Sequence, residues 1–310
     1  SSAASDVYKR QDFVSGLSAL RQAVTFFPNN VETRVVSKRM INQFSSIYTD
    51  GTADSMTPLT ALSMYDQFRE LTPVGRRGDR IIQRLADRLV EVDLLDRAAV
   101  LLDRQVKFRL RGKQKAIVGS KLALIRLLDR QPRLALDALN ESVSPGLDSR
   151  LALERKRLRS RSVFELGDSE SALKLIKNDD SRKADLLRAD IYWRTQDWER
   201  SALIYQRLIG DTGKDGRRLS DLSATLVVNW VVSLSMNGQK DKLNEARQIY
   251  AAMMDSTRYR EAFRLITNKT AEDLQDFRTL TERFQEIGRF QGFLTSYREK
   301  LRDQPLSKIQ

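Results

Sequence analysis

Residues 81–110 read IIQRLADRLVEVDLLDRAAVLLDRQVKFRL. Ile81, Ile82, Leu85, Leu89 and Val92 recur at three- and four-residue steps, and Leu94, Leu95, Ala98 and Leu102 continue the rhythm. That spacing returns side chains to one side of an α-helix, whereas a half-buried strand would alternate. The stretch decides the fold class because the rest of the chain follows the same pattern. Apolar residues keep the helical period almost throughout, alternating β patterns are absent, and the 6 prolines and 14 glycines act as punctuation. Breaks fall at residues 28–30, 50–51, 73–78, 111–112, 129–132, 144–146, 167–168, 177–181, 210–216, 237–238 and 268–270, and at Gly288. The expectation is an all-α chain of short helices joined by short turns.

The 310 residues are 41% hydrophobic and 31% charged, enough to bury a sizeable core under a strongly charged surface. Lysine and arginine total 54 against 41 acidic residues, for a net charge of +13, and the chain has no histidine and no cysteine. Those absences exclude a Ser-His-Asp triad, a Cys-His pair and an ordinary zinc site, which need an imidazole or a thiolate. No disulfide is possible, so cysteine usage indicates no redox compartment. Carboxylate, lysine and tyrosine chemistry stay open. The longest apolar stretch, residues 224–236 interrupted by Asn229, is apolar on all sides. At about 13 residues it falls short of the ~20 that a bilayer requires, so it reads as a buried inner helix and no transmembrane segment is expected.

A repeat underlies the helices. Ala61, Ala98, Ala135 and Ala172 are spaced by 37 residues, and Ala246 follows 74 later, with Ser201 marking the copy between them slightly early. Four residues after each comes a bulky partner: Tyr65, Leu102, Leu139, Ile176, Tyr205 and Tyr250. Pro58 and Pro132 each stand three positions before their alanine, where a helix start tolerates proline. A small residue lets two helices approach, and a large one a turn later fills the groove between them.

This pattern resembles the tetratricopeptide repeat family. Ala61, Tyr65, Phe68 and Pro73 follow the spacing of that repeat's second helix, with Phe68 where a small residue is usual, and Gly16, Leu20, Ala23 and Pro28 follow it too. Residues 166–172, LGDSESA, look like the family's glycine turn, and residues 196–201, QDWERS, look like the same turn without glycine. The resemblance covers residues 12–255. It departs from the family at Lys156 and Arg159, which sit near positions usually apolar, and in its period of about 37 residues rather than 34. It implies a divergent, right-handed α-solenoid of antiparallel helix pairs, since a two-helix hairpin needs neighbours to cover its apolar face.

At the N-terminus, residues 6–11, DVYKRQ, resemble the translated end of a sequencing transposon, so residues 1–11 are expected to be adapter-derived or a disordered polar start and are set aside. Such an origin suits an environmental, bacterial reading frame whose true start lies upstream. Residues 12–27 then read as a second helix without its first, leaving Leu17, Leu20, Val24 and Phe27 exposed unless upstream chain covers them. At the other end, Leu274, Phe277, Leu280, Phe284 and Ile287, then Phe290, Phe293, Leu294, Tyr297 and Leu301, form helical stripes. Residues 256–302 are expected to be capping helices, and 303–310 a polar tail.

Few motifs suggest chemistry. Residues 210–216, GDTGKDG, contain a Gly-Lys pair, but a phosphate loop would need glycine at Leu208 and Ser or Thr at Asp215, so a helix-helix loop is expected. Ser171 and Lys174 have the Ser-x-x-Lys spacing of some acyl enzymes, yet lie on a repeat helix. The loop at 50–54 has neither glycine at the sixth position nor the terminal glutamate of a calcium hand. No catalytic residue, cofactor or metal ligand is expected. Basic clusters occur at Arg76, Arg77 and Arg80, at 104–115, at 150–161, and at Lys214, Arg217 and Arg218. Arg150, Glu154, Arg157 and Arg161 share one helical side, read as a self-paired, solvated surface. Aromatics look confined to core positions such as Tyr65, Phe68, Trp230 and Tyr250, away from the basic runs, while Trp193 and Trp198 look placed to pin two helices together.

By its resemblance to tetratricopeptide proteins, the chain is expected to be a non-enzymatic interaction scaffold that holds a protein or peptide segment in a groove lined by first helices. Basic residues there suit an acidic segment, with Arg76, Arg80, Arg155 and Arg159 as candidate contacts. A basic array binding nucleic acid, or the helical-repeat region of a larger multidomain protein, are the alternatives; no nucleic-acid motif accompanies the charge. A cytoplasmic and a periplasmic or cell-envelope location both fit.

Overall fold

The computed structural model describes residues 14–19, 21–22, 25–26, 31–212 and 218–268, and these are helical with no strand among them. The expected adapter segment at 1–11, the residues from 269 through the expected cap and tail, and 213–217 of the GDTGKDG loop lie outside the described residues. The chain divides into two compact units that meet in the sequence at Leu158 and Arg159.

In the first unit, α1 (Val31–Thr49) is followed by α2 (Pro58–Gln67), α3 (Arg76–Glu91), α4 (Leu95–Phe108), α5 (Gly112–Leu128) and α6 (Pro132–Glu141), with short 3-10 turns at Ala53–Ser55 and Arg69–Leu71. Each of α2 to α6 packs on its sequence neighbour, and α1 with α3 and α4 with α6 also touch. Ile81, Ile82, Leu85 and Leu89 are buried on α3, and Ala98, Leu101, Leu102 and Val106 on α4. The opening stretch is thus two amphipathic helices, and the break between them at Val92–Leu94 carries neither glycine nor proline. Helices α5 and α6 pack tightly: a methyl group on Gly119 would come within 2.0 Å of Oγ of Ser142, the residue that caps the end of α6.

Helix α7 (Ser149–Glu165) begins in the first unit and ends in the second. The second unit continues with α8 (Ser169–Leu175), α9 (Arg182–Arg194), α10 (Trp198–Ile209), α11 (Asp221–Met236), α12 (Lys240–Met254) and α13 (Arg260–Asn268), again packed between neighbours. Residues 224–234 of α11 are buried without interruption, as its apolar circumference requires. The core around them takes Tyr205 and Leu208 from α10, Ala246, Tyr250 and Met254 from α12, and Phe263 from α13. Trp193 and Trp198 meet edge-to-face at 5.3 Å across the α9–α10 turn and pin those helices.

The turns between paired helices repeat one device. Asp93, Arg130, Gly167, Gln196 and Gly238 each have positive φ. In each turn the following N–H reaches back five residues to a carbonyl: Leu94 to Leu89, Gln131 to Arg126, Asp168 to Val163, Asp197 to Tyr192 and Gln239 to Leu234. This is the Schellman closure, which satisfies carbonyls orphaned at a helix C-terminus and turns the chain in two residues. Asp168 and Asp197 then cap the next helix, accepting the Ser171 and Arg200 N–H groups at 2.9 and 3.1 Å. Gln196 does at φ 57° what Gly167 does at φ 97°.

The repeat positions Ala61, Tyr65, Ala98, Leu102, Ala135, Leu139, Ala172, Ile176, Ser201, Tyr205, Ala246 and Tyr250 are all buried. The Ser201 hydroxyl is 2.9 Å from that of Ser233, so this small position bonds across to α11. Leu17 is fully buried, so the exposure expected for a second helix without its first is not found there. Nearby, Arg21 pairs with Glu70 at 3.2 Å. Leu20, Val24 and Phe27 lie outside the described residues.

Candidate functional site

The arginines sort by partner. Among the described residues, seven of them point guanidinium N–H groups at main-chain carbonyls, most at or just beyond helix ends, Arg21 donating to Gln67 at 3.4 Å. Arg84 donates to Tyr48 at 3.2 Å and Arg88 to Ala53 at 2.6 Å and to Met56. Arg109 donates to the Pro73 carbonyl, Arg155 to Leu139 at 2.6 Å, Arg182 to Leu208 at 2.6 Å and Arg188 to Ile176. Where those carbonyls close a helix, as at Tyr48, Gln67, Leu139, Ile176 and Leu208, they lack intrahelical donors and lie at the negative end of the helix dipole, so a cation stabilises them twice over. Much of the positive excess therefore serves packing rather than a partner.

Arg155 illustrates this most fully. Besides Leu139 it reaches the Ala116 carbonyl at 2.8 Å and the hydroxyls of Ser120 and Ser142 at 3.1 and 3.2 Å. Its guanidinium knits α5 and α6 to α7, which removes it from the candidate contacts. Arg157 and Arg161 are also buried, which corrects the reading of their helix side as solvated. Arg161 binds Asp190 at 2.8 Å and Glu165 one turn on. The countercharge Asp190 comes from α9, 29 residues along, and no pattern local to α7 signals it.

Arg76 and Arg80 sit one turn apart at the start of α3, both exposed and free of ion pairs and hydrogen bonds with the described residues. Their neighbour Arg77 donates to Asn42 at 3.3 Å. Arg159, half-buried on the second-unit part of α7, is not free of partners. The structure thus groups Arg76 with Arg80 only.

A cleft of about 330 Å³ opens in the first unit, and neither Arg76 nor Arg80 lines it. Tyr65, Ile82 and Leu101 form its apolar floor, and Phe108 stands at its edge with 78% of its surface exposed. Arg69, Arg104 and Arg109 surround it. Arg109 is committed: its Nε holds Asp79 at 2.9 Å while its other arm takes the Pro73 carbonyl. Gly78 allows this, because a side chain there would lie 1.9 Å from the Pro73 oxygen. Arg104 faces Asp66 at a loose 3.9 Å, and Arg69 has no ion-pair partner among the described residues. Gln105 donates to the Asp79 carbonyl at 3.2 Å, leaving its buried Oε1 without a partner. Burial pushes the Tyr65 hydroxyl above its ordinary pKa, opposed by the Thr72 hydroxyl and by the charges of Arg109 and Arg69.

The sequence contained a signal for this cleft that the reading passed over. Phe108 lies between Lys107 and Arg109, an exposed aromatic inside a basic run, so the aromatics are not all confined to the core. Among the described residues no cluster of acidic side chains is placed to hold a metal ion, and no helix is long and apolar enough to cross a membrane. The chain matches no protein-family model and no curated protein.

Proposed function

We propose that this chain is a non-enzymatic interaction scaffold that binds an acidic segment of a partner protein. One observation carries the reading. On α3, Arg84 and Arg88 are tied to main-chain carbonyls and the apolar side is buried, yet Arg76 and Arg80 stay exposed without partners among the described residues. A helix held on two sides presents these charges at fixed spacing, so little ordering is needed to bind carboxylates. The alternation of paired helices supports the finer architecture, a right-handed, tetratricopeptide-like solenoid with a period near 37 residues.

The test is fluorescence anisotropy of the full chain with a labelled glutamate-rich peptide, its glutamine counterpart and a labelled DNA duplex. The expected result is binding of the glutamate peptide alone, weakened about tenfold by Arg76→Glu/Arg80→Glu, as loss of two charge contacts of ~0.7 kcal/mol each would produce. Equal affinity for both peptides would overturn the reading. Tight duplex binding whose affinity falls steeply with salt would replace it with a nucleic-acid function.

A further inference from the structure

We infer that the cleft between α2, the Arg69–Leu71 turn and α4 is a peptide-anchoring site, taking one large apolar side chain followed directly by carboxylates. The inference rests on the scaffold reading and adds to it a specificity determinant. The floor of Tyr65, Ile82 and Leu101 is apolar, and Phe108 extends that surface outward rather than into the core. An aromatic ring left 78% exposed beside a concavity is unfavourable in water and gains by being covered. At about 330 Å³ the cleft lies at the small end of ligand pockets, room for a side chain and its adjoining backbone.

The charge around the cleft selects the occupant. Arg69 has no countercharge among the described residues and Arg104 has only Asp66 at 3.9 Å, both exposed, whereas Arg109 is neutralised by Asp79. Two under-compensated guanidiniums beside an apolar floor complement an acidic group next to a hydrophobic one. A purely apolar partner would leave the cations unanswered, and a purely acidic one would leave the floor and Phe108 wet.

Three labelled peptides test this against the full chain: one with leucine followed by three glutamates, one with that leucine replaced by glutamine, and one with the glutamates replaced by glutamines. The leucine-glutamate peptide is expected to bind at least tenfold more tightly than either relative. That advantage is expected to vanish in Phe108→Ser and in Arg69→Glu/Arg104→Glu. Both variants change exposed side chains, and an unchanged thermal midpoint verifies the fold. No advantage for leucine, or an advantage that survives both variants, overturns the cleft. In that case, residual binding sensitive to Arg76→Glu/Arg80→Glu keeps the scaffold reading, whereas absence of binding by all three peptides overturns both.

Discussion

Arg155 and Arg161 stand six positions apart on α7, both turned inward, and they differ in what they face. Arg155, in the first unit, meets neutral acceptors: the Leu139 and Ala116 carbonyls and two serine hydroxyls. Arg161, in the second, meets the carboxylates of Asp190 and Glu165. The difference decides what removing each would expose. Neutral carbonyls lose a good donor; the buried Asp190 carboxylate loses the Arg161 countercharge, while the partly exposed Glu165 keeps Arg194 at 3.0 Å, and a weakened buried charge pair is the costlier defect.

Three substitutions break or sharpen that contrast. Arg161→Met keeps the volume and removes the charge, and is expected to destabilise by about 3–5 kcal/mol in denaturant unfolding. Adding Asp190→Asn is expected to recover part of the loss, because the amide no longer carries the stranded charge. Arg155→Met is expected to cost less, about 1–2 kcal/mol, because the carbonyls and hydroxyls it leaves behind carry no net charge. Equal losses from the two arginines would break the comparison, showing that carboxylate and carbonyl acceptors weigh alike here.

The smallest effect tests the same logic with the sign reversed. Asp129 caps the C-terminus of α5, where a negative charge opposes the helix dipole, and its Oδ2 is buried without a hydrogen-bond partner. Burial, reinforced by Asp96 and Asp93 and opposed by Arg126, holds its pKa above the ordinary value of 3.8. A raised carboxylate pKa means the folded state disfavours the ionised form. Its penalty is absent below the ordinary value and complete above the raised one. Asp129→Asn is therefore expected to stabilise at neutral pH by about 0.5 kcal/mol at low salt, screened because the site is partly solvated, and the gain should fade as pH drops toward 3.8. A gain independent of pH would assign the effect to side-chain packing instead.

Elements were the most legible part of the chain. The three- and four-residue spacing of Ile81, Leu85 and Leu89 follows from helix geometry alone, and so does the burial of residues 224–234, whose apolar circumference leaves no side for water. Turns were legible where glycine marked them, at Gly167 and Gly238, and at Gln196 through its likeness to the Gly167 turn. Asp93 was not legible, because the Schellman closure and the packing of α3 on α4 hold a non-glycine residue at φ 61°. The candidate site was legible only in part. Arg76 and Arg80, named as candidate contacts, are exposed. Arg155 does not, since its acceptors Ala116 and Leu139 lie 39 and 16 residues away and no local pattern connects them.

By itself, then, the sequence determined that the chain is helical, where small and large residues alternate along the repeat, and that it carries a large excess of positive charge. Those properties follow from local spacing and composition. Only the tertiary structure decided where the charge goes: among the described residues, to main-chain carbonyls in seven cases, to Asp190 and Glu165 at Arg161, and to open surface at Arg69, Arg76 and Arg80. An arginine side chain is long enough to reach either solvent or a neighbouring helix. Its choice depends on acceptors brought near by packing across tens of residues.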